Sequence, residues 1–503
     1  MGNLISNLMG SHVMGSGGSK RKVEDLESED EDAADFDSLL HTPKRRRLNS
    51  TSQYIYKTLF EEGCASDVTV VALGREWHLH KVYLCQSPYF GSMFSGNWTE
   101  TNQSKINIEI LDDNINIDAL HLALGQFYKD DIVVEPAQVI PLLATALLLQ
   151  MDPLIDQCTS IMMETINLQT VLQYHEAARR YGVLEVDKAC KQWLLHNLLT
   201  QVTEHPATLR HIPSDLMTEL LTSPHLYVMQ TEFSVYVMLK AWVFLRLNPS
   251  WDGSHETAFL EAHKHFRNRA ERGWFLEEEG REFSPVFSAL RLVYLIYHHL
   301  DVEMLYSDRI LPPSWLTPAS MHQWYNMLRI DQGKDRGPSE ISEEEFDRSC
   351  TRCGRVLGNS VQHIWRWTGY NFGLDLVMTH DGASLRLKRN HRTENIASIA
   401  QPARRNIMYR VTVASLDDQK QVVYTKSTGV QSVSLAKNEE IRVMVLDPDV
   451  KYPLLLSANF LITTNHSLIT SHPGSSLGTS TSPSAIASAS NLSARAPGQP
   501  SRE

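Results

Sequence analysis

Hydrophobic and polar positions follow two rhythms along this chain, and the rhythm changes near residue 351. Residues 52–60 place Ile55 and Leu59, and likewise Tyr56 and Phe60, four apart on one helix face, with Ser52 as the expected N-cap and Gly63 closing the helix. Residues 67–73 then alternate as a strand, a turn is expected at Gly74-Arg75-Glu76, and residues 77–80 return as the second arm of a hairpin. Leu84, Tyr89, Phe90, Met93 and Phe94 restore helical spacing, predicting a helix over 87–94. A strand over 106–111 carries Ile106, Ile108 and Ile110 on one side, and a helix is predicted over 117–128. The helix predicted over 139–150 is apolar on most faces, which places it in the middle of a domain.

From residue 167 to about 299 the pattern stays helical, including a segment over 233–247 whose Phe233, Val237, Trp242 and Leu245 predict an amphipathic face. After Pro312-Pro313 a polar stretch reads as a linker. From 351 to about 464 the period becomes two. Strands are predicted over 373–379, 385–389, 407–414, 421–425 and 441–446, separated by turn signals such as His380-Asp381-Gly382. A sandwich or half-barrel suits them, and no fixed repeat period is found. The predicted division is a leader over 1–50, domains over 51–163, 164–310 and 351–465, a linker over 311–350, and a Ser-rich tail over 466–503. The fold class is multidomain α+β, and both ends have compositions too polar to support a core.

Composition narrows the partners. The 503 residues and 42% apolar content support about three cores, and the net charge of −12 argues against direct nucleic-acid binding, which needs a basic surface. Six scattered cysteines do not make a secreted disulfide framework, so a reducing compartment is expected. The longest apolar runs fall short of the ~20 residues that span a bilayer, and the N-terminus lacks the apolar stretch of a signal peptide.

Several local motifs carry candidate chemistry. Met1-Gly2-Asn3-Leu4-Ile5-Ser6 fits the N-myristoylation pattern with Gly2 as acceptor, although many chains begin Met-Gly by chance. One acyl chain anchors only weakly, so Lys20-Arg21-Lys22 is the candidate second signal. The acidic run over 24–37 reads as a solvated spacer. Lys44, Arg45, Arg46 and Arg47 after Pro43 form a compact basic cluster of the kind import receptors read. Cys350 and Cys353 resemble half a zinc knuckle, but no second pair exists and His363 is a lone third ligand, so no metal and no cofactor is assigned. Trp365, Arg366 and Trp367 form either an exposed recognition patch or part of a buried aromatic cluster. No clustered Ser/His/Asp or Cys/His set passes the spacing test for catalysis.

The segment Asp67-Val68, His80-Lys81, Leu84, Ser87-x-Tyr89-Phe90-x-x-Met93-Phe94, Phe127-Tyr128 and Leu142-Leu143-x-x-Ala146-x-x-Leu149-Gln150-Met151 resembles the BTB/POZ domain over about 53–162. The helix pairs that follow, with Ala177-x-x-x-Tyr181 and Leu184, resemble the BACK domain. With a β-rich region in place of kelch repeats, the whole arrangement resembles germ-cell-less-type proteins. The segments over 54–60, 79–87 and 365–373 carry that likeness.

The resemblance implies that His80-Lys81 packs the hairpin–helix junction and that Tyr54, Ile55 and Leu59 lie on a homodimer face. It implies that Trp98 and Glu100 form an apolar-x-Glu motif for cullin-3, with Trp98 covering the core edge as the plainer role. It also implies nuclear, nuclear-envelope or nuclear-matrix residence, with cytoplasm or plasma membrane as further places, and work in germ-cell formation or spermatogenesis. The leading expectation is a non-catalytic adaptor of a cullin-3 ubiquitin ligase whose β region selects a protein substrate. The alternative is a nuclear-envelope scaffold or transcriptional co-regulator that works without cullin and contacts nuclear-envelope proteins. Membrane contact is expected only through the lipid anchor.

Overall fold

The computed structural model describes residues 50–95, 103–129, 133–267, 274–335, 337–338, 340–367, 374–390 and 402–462. Gly2, Lys44, Arg45, Arg46, Arg47, Trp98 and Glu100 lie outside the described residues, as do both chain ends.

The first helix, α1 (Thr51–Ile55), is capped by Ser50, whose Oγ accepts from the Gln53 N–H at 3.2 Å, two residues before the expected cap. It continues into a π-helical turn over Tyr56–Glu61 and ends at Gly63, which takes the left-handed φ of +64° that a helix terminator requires. Strands β1 (Val68–Ala72) and β2 (Arg75–Leu79) pair antiparallel. Their turn is Leu73-Gly74, both left-handed, because a two-residue turn of that hand matches strand twist. Arg75 and Glu76, expected in the turn, therefore belong to β2.

A third strand, β3 (Lys105–Asn107), joins β1 in parallel and is shorter than the 106–111 expected. Ile108 is still buried and Ile110 packs on the core beyond it, so the alternation outlasts the ladder. Helices α2 (Lys81–Leu84), α3 (Pro88–Ser95), α4 (Ile117–Gln126), α5 (Val139–Leu148) and α6 (Asp152–Glu164) complete this unit. As its apolar circumference predicts, α5 is the central one, with Val139 and 142–146 all buried.

Helices α7 (Val171–Tyr181), α8 (Leu184–Asn197), α9 (Pro206–Arg210), α10 (Ser214–Thr222), α11 (Glu232–Leu247), α12 (His255–Arg267) and α13 (His299–Asp308) follow. One apolar core runs from Phe60 to Leu316, so the first unit and the helices share their interior. Helix α11 corrects its predicted amphipathicity, since nearly every residue from Glu232 to Leu245 is buried. Lys240 is accommodated because its Nζ lies 2.7 Å from Asp308 Oδ2, which also accepts from Tyr236 Oη at 2.9 Å.

The stretch read as a linker also differs from expectation. It carries α14 (Pro313–Asp331), a 19-residue helix, and α15 (Glu343–Ser349), capped by Ser342. Pro313 sits at the first helical position, where its missing N–H costs nothing, so the Pro-Pro pair starts a helix here and does not break one.

The C-terminal unit is a sandwich of two antiparallel sheets. One contains β4 (Thr351–Leu357), β8 (Arg404–Leu416), β9 (Val422–Ser427), β10 (Gln431–Ala436) and β12 (Leu454–Leu461). The other contains β5 (His363–Arg366), β6 (Asp375–His380), β7 (Ser384–Asn390) and β11 (Glu440–Val445). Five of these strands match the predicted ones. β4, β5, β10 and β12 were not expected. β12 is buried along both faces, which removes the alternation by which a strand is recognised.

Candidate functional site

The motif residues of the first unit are structural. The His80 N–H donates to Tyr128 Oη at 2.9 Å, and its ring nitrogens lie 3.2 Å from that oxygen and 2.9 Å from the Cys64 carbonyl. The ring is buried and fully occupied, and burial pushes the Tyr128 hydroxyl up to about 12. The Lys81 N–H donates to Asp67 Oδ1 at 2.8 Å, and Ser87 Oγ donates to the Leu149 carbonyl, tying α3 to the end of α5. These bonds position α2 and α3.

Among the described residues, two places bear on the expected partners. Tyr54 of α1 is 59% exposed, while Ile55 and, in the turn after it, Leu59 are half-buried against the core, so the face expected to dimerise is apolar and partly exposed. The second is a cleft of about 700 Å³ in the helical region. Leu168 and Leu172 from the start of α7, with Ala207 and Pro213, supply its apolar part. Arg179 and Asp215 also line it and pair at 2.6 Å. His175 in its wall is held 2.9 Å from Asp187, and burial lowers its pKa.

The aromatic segment of the sandwich is corrected. Trp365 and Trp367 are buried, their rings 5.4 Å apart, and Trp367 packs on Phe460. Only Arg366 reaches outward, and it pairs with Asp375 at 2.6 Å. Of the three candidate recognition residues, the tryptophans build the inter-sheet core, because successive even steps along β5 point to one face. Cys350 ends α15 just before β4 and packs with Phe346, whereas Cys353 lies within β4 and enters the inter-sheet core. Arg291 Nη1 contacts the Cys350 sulfur at 3.0 Å, and burial pushes the Cys353 thiol up to about 12. Among the described residues no group of three or more His, Cys, Asp or Glu could hold a metal ion, and no helix is long and apolar enough to cross a membrane.

Sequence reasoning missed the residues that mount the sandwich on the helices. Arg352 of β4 is buried and grips Glu232 of α11 twice, Nη2 to Oε1 at 2.6 Å and Nε to Oε2 at 3.1 Å. Its Nη1 also donates to the Leu221 carbonyl at 2.7 Å, satisfying the end of α10. Arg410 pairs with Asp347 at 2.7 Å. The β8–β9 hairpin reaches further. Gln421 Nε2 donates to the Glu164 and Ile166 carbonyls, each at 3.2 Å, capping α6. Trp193 and Asn197 of α8 donate to the Gln419 and Lys420 carbonyls. Partners so far apart in the chain leave no local signal.

Fold and surface together define a BTB/POZ-class protein with a helical extension and a β-sandwich, and a model of the BTB/POZ domain matches residues 56–166. Whole-chain similarity is more specific. Protein germ cell-less of Drosophila melanogaster is 43% identical over 445 residues, covering 84% of this chain and 78% of that protein. Human germ cell-less protein-like 1 is 42% identical over 429 residues, covering 84% of this chain and 83% of its own. Human germ cell-less protein-like 2 is 41% identical over 441 residues, covering 86% and 84% respectively. The chain belongs to the germ cell-less family.

Proposed function

We propose that this protein is a non-catalytic adaptor that links cullin-3 to a protein substrate, acting as a homodimer through its BTB domain. The observation that carries this reading is the rigid mounting of the sandwich: the β8–β9 hairpin caps α6, and Arg352 locks β4 to α11. An adaptor works by proximity, and a stiff connection keeps substrate lysines at a set place relative to the ligase. Trp98 and Glu100 follow α3, where an apolar anchor and a carboxylate form a compact hot spot for cullin, and the cleft along α7 offers room for a further cullin segment. Lys44–Arg47 would direct the protein to the nucleus, and acylated Gly2 would hold it to the envelope. The relatives bear germ cell-less names, and we extend a role in germ-cell formation or spermatogenesis to this chain.

Trp98→Ala with Glu100→Ala is expected to lower cullin-3 recovery by roughly thirtyfold or more, the effect of a 2 kcal/mol hot spot, while dimerisation persists. Unchanged recovery in co-purification would sink the motif and leave the cullin-independent nuclear scaffold. Tyr54→Asp with Leu59→Asp is expected to convert the dimer to monomer in sedimentation analysis, because two buried carboxylates would face each other across the α1 surface.

A further inference from the structure

Helix α14 is built the wrong way round for a surface helix. Its inner side buries the polar His322, Gln323 and Asn326 beside Leu316, Ala319 and Ile330. Two contacts hold that polar side in place: Gln323 Nε2 donates to the Val293 carbonyl at 2.6 Å, and Asn326 Nδ2 lies 2.9 Å from His322 Nε2. Its outer side shows Met321 (58% exposed), Trp324 (56%), Tyr325 (44%) and Leu328 (40%), a stripe at i, i+3, i+4 and i+7. Trp and Tyr with an adjacent Arg are the composition of binding hot spots, and Arg329 stacks its guanidinium 5.9 Å from the Tyr325 ring centroid. Four large apolar side chains in one exposed row are a docking face on a firmly held helix.

The same chain carries a segment that suits this face. Within and just after the acidic run over 24–37, Phe36, Leu39 and Leu40 stand at i, i+3 and i+4, with Asp35 and Asp37 around Phe36. A solvated spacer has no use for a phenylalanine and paired leucines. Acidic residues that keep such anchors soluble are the pattern of segments that order on an apolar surface with a nearby cation. The stretch between Leu40 and Ser50 can extend to about 35 Å.

We propose that residues 35–40 dock on the outer face of α14, with Phe36, Leu39 and Leu40 against Trp324, Tyr325 and Leu328, and with Asp35 or Asp37 meeting Arg329. The docked leader covers the apolar stripe and holds the acidic run beside the start of the sandwich unit.

The test places a photo-crosslinking benzoylphenylalanine at position 36 of the full-length chain. Crosslinks are expected within residues 321–329, on the same or a second copy of the chain. Trp324→Ala with Leu328→Ala, both on the solvent side, is expected to lower their yield roughly tenfold, the loss of one hot spot. Arg329→Glu is expected to lower it too, and Asp35→Lys with Asp37→Lys to restore it. Crosslinks concentrated on Tyr54–Leu59, on another protein or nowhere overturn the proposal, as does a yield that the double alanine variant leaves unchanged.

Discussion

Glu232→Ala is expected to destabilise the whole chain by about 3–5 kcal/mol, read as a lower urea midpoint for full-length protein by circular dichroism. The carboxylate is fully buried and accepts two bonds from Arg352 and one from the Arg291 N–H at 3.0 Å. Removing it strands a guanidinium with no route to water, and an unpaired buried charge costs far more than the pair contributes when intact. The partner change sharpens this. Arg352→Met alone leaves the carboxylate unbalanced, whereas Glu232→Leu combined with Arg352→Met removes both charges. The double variant is expected to be more stable than either single one. It should not reach wild type, because the Leu221 and Ser223 carbonyls lose their donor, at about 1–3 kcal/mol. If the double variant lost the full sum of the two singles, the pair would not be the latch between helices and sandwich.

The second large effect is expected at Gly354, in the same interface. The residue forms an isolated bridge with Gln230, whose N–H donates to its carbonyl at 2.9 Å. A Cβ there would stand 2.2 Å from the Val228 carbonyl oxygen and 3.1 Å from the Leu456 carbonyl oxygen. Both are backbone, so neither can rotate aside, and one methyl must push β4 away from the α10–α11 connection. Gly354→Ala is expected to cost about 3 kcal/mol, the upper end for an overpacked core. Glu232 and Gly354 share the contact, so their combined effect should fall short of additive. An alanine tolerated within about 0.5 kcal/mol would mean that the sandwich rides loosely on the helices, and the rigid-adaptor reading would lose its carrying observation.

The legible parts of this protein are those whose cause is local. Period-two alternation over residues 68–72 marked the first strand, and the i, i+4 pairs before Gly63 marked the first helix. The apolar circumference of 139–148 gave its central position. Each is a consequence of side chains within a turn or two of one another. Misreadings cluster where a local sign has a distant answer. The polar stretch after Pro312-Pro313 read as a linker, yet Pro313 opens a helix. The segment over 233–247 read as amphipathic, yet it is buried nearly all round because Asp308 and Arg352 receive the charges of Lys240 and Glu232.

By itself the sequence determined the BTB motif, the order of helical and β regions, and the apolar pairs of the first helix. Those follow from spacing, which is a property of the chain before it folds. Only the tertiary structure decided that Trp365 and Trp367 belong to a core, that α14 turns its aromatic side outward, and that the sandwich is bolted to the helices. Each depends on which distant element arrives to bury or to satisfy a group. Burial and pairing are relations between segments, so the pattern of either segment alone cannot contain them.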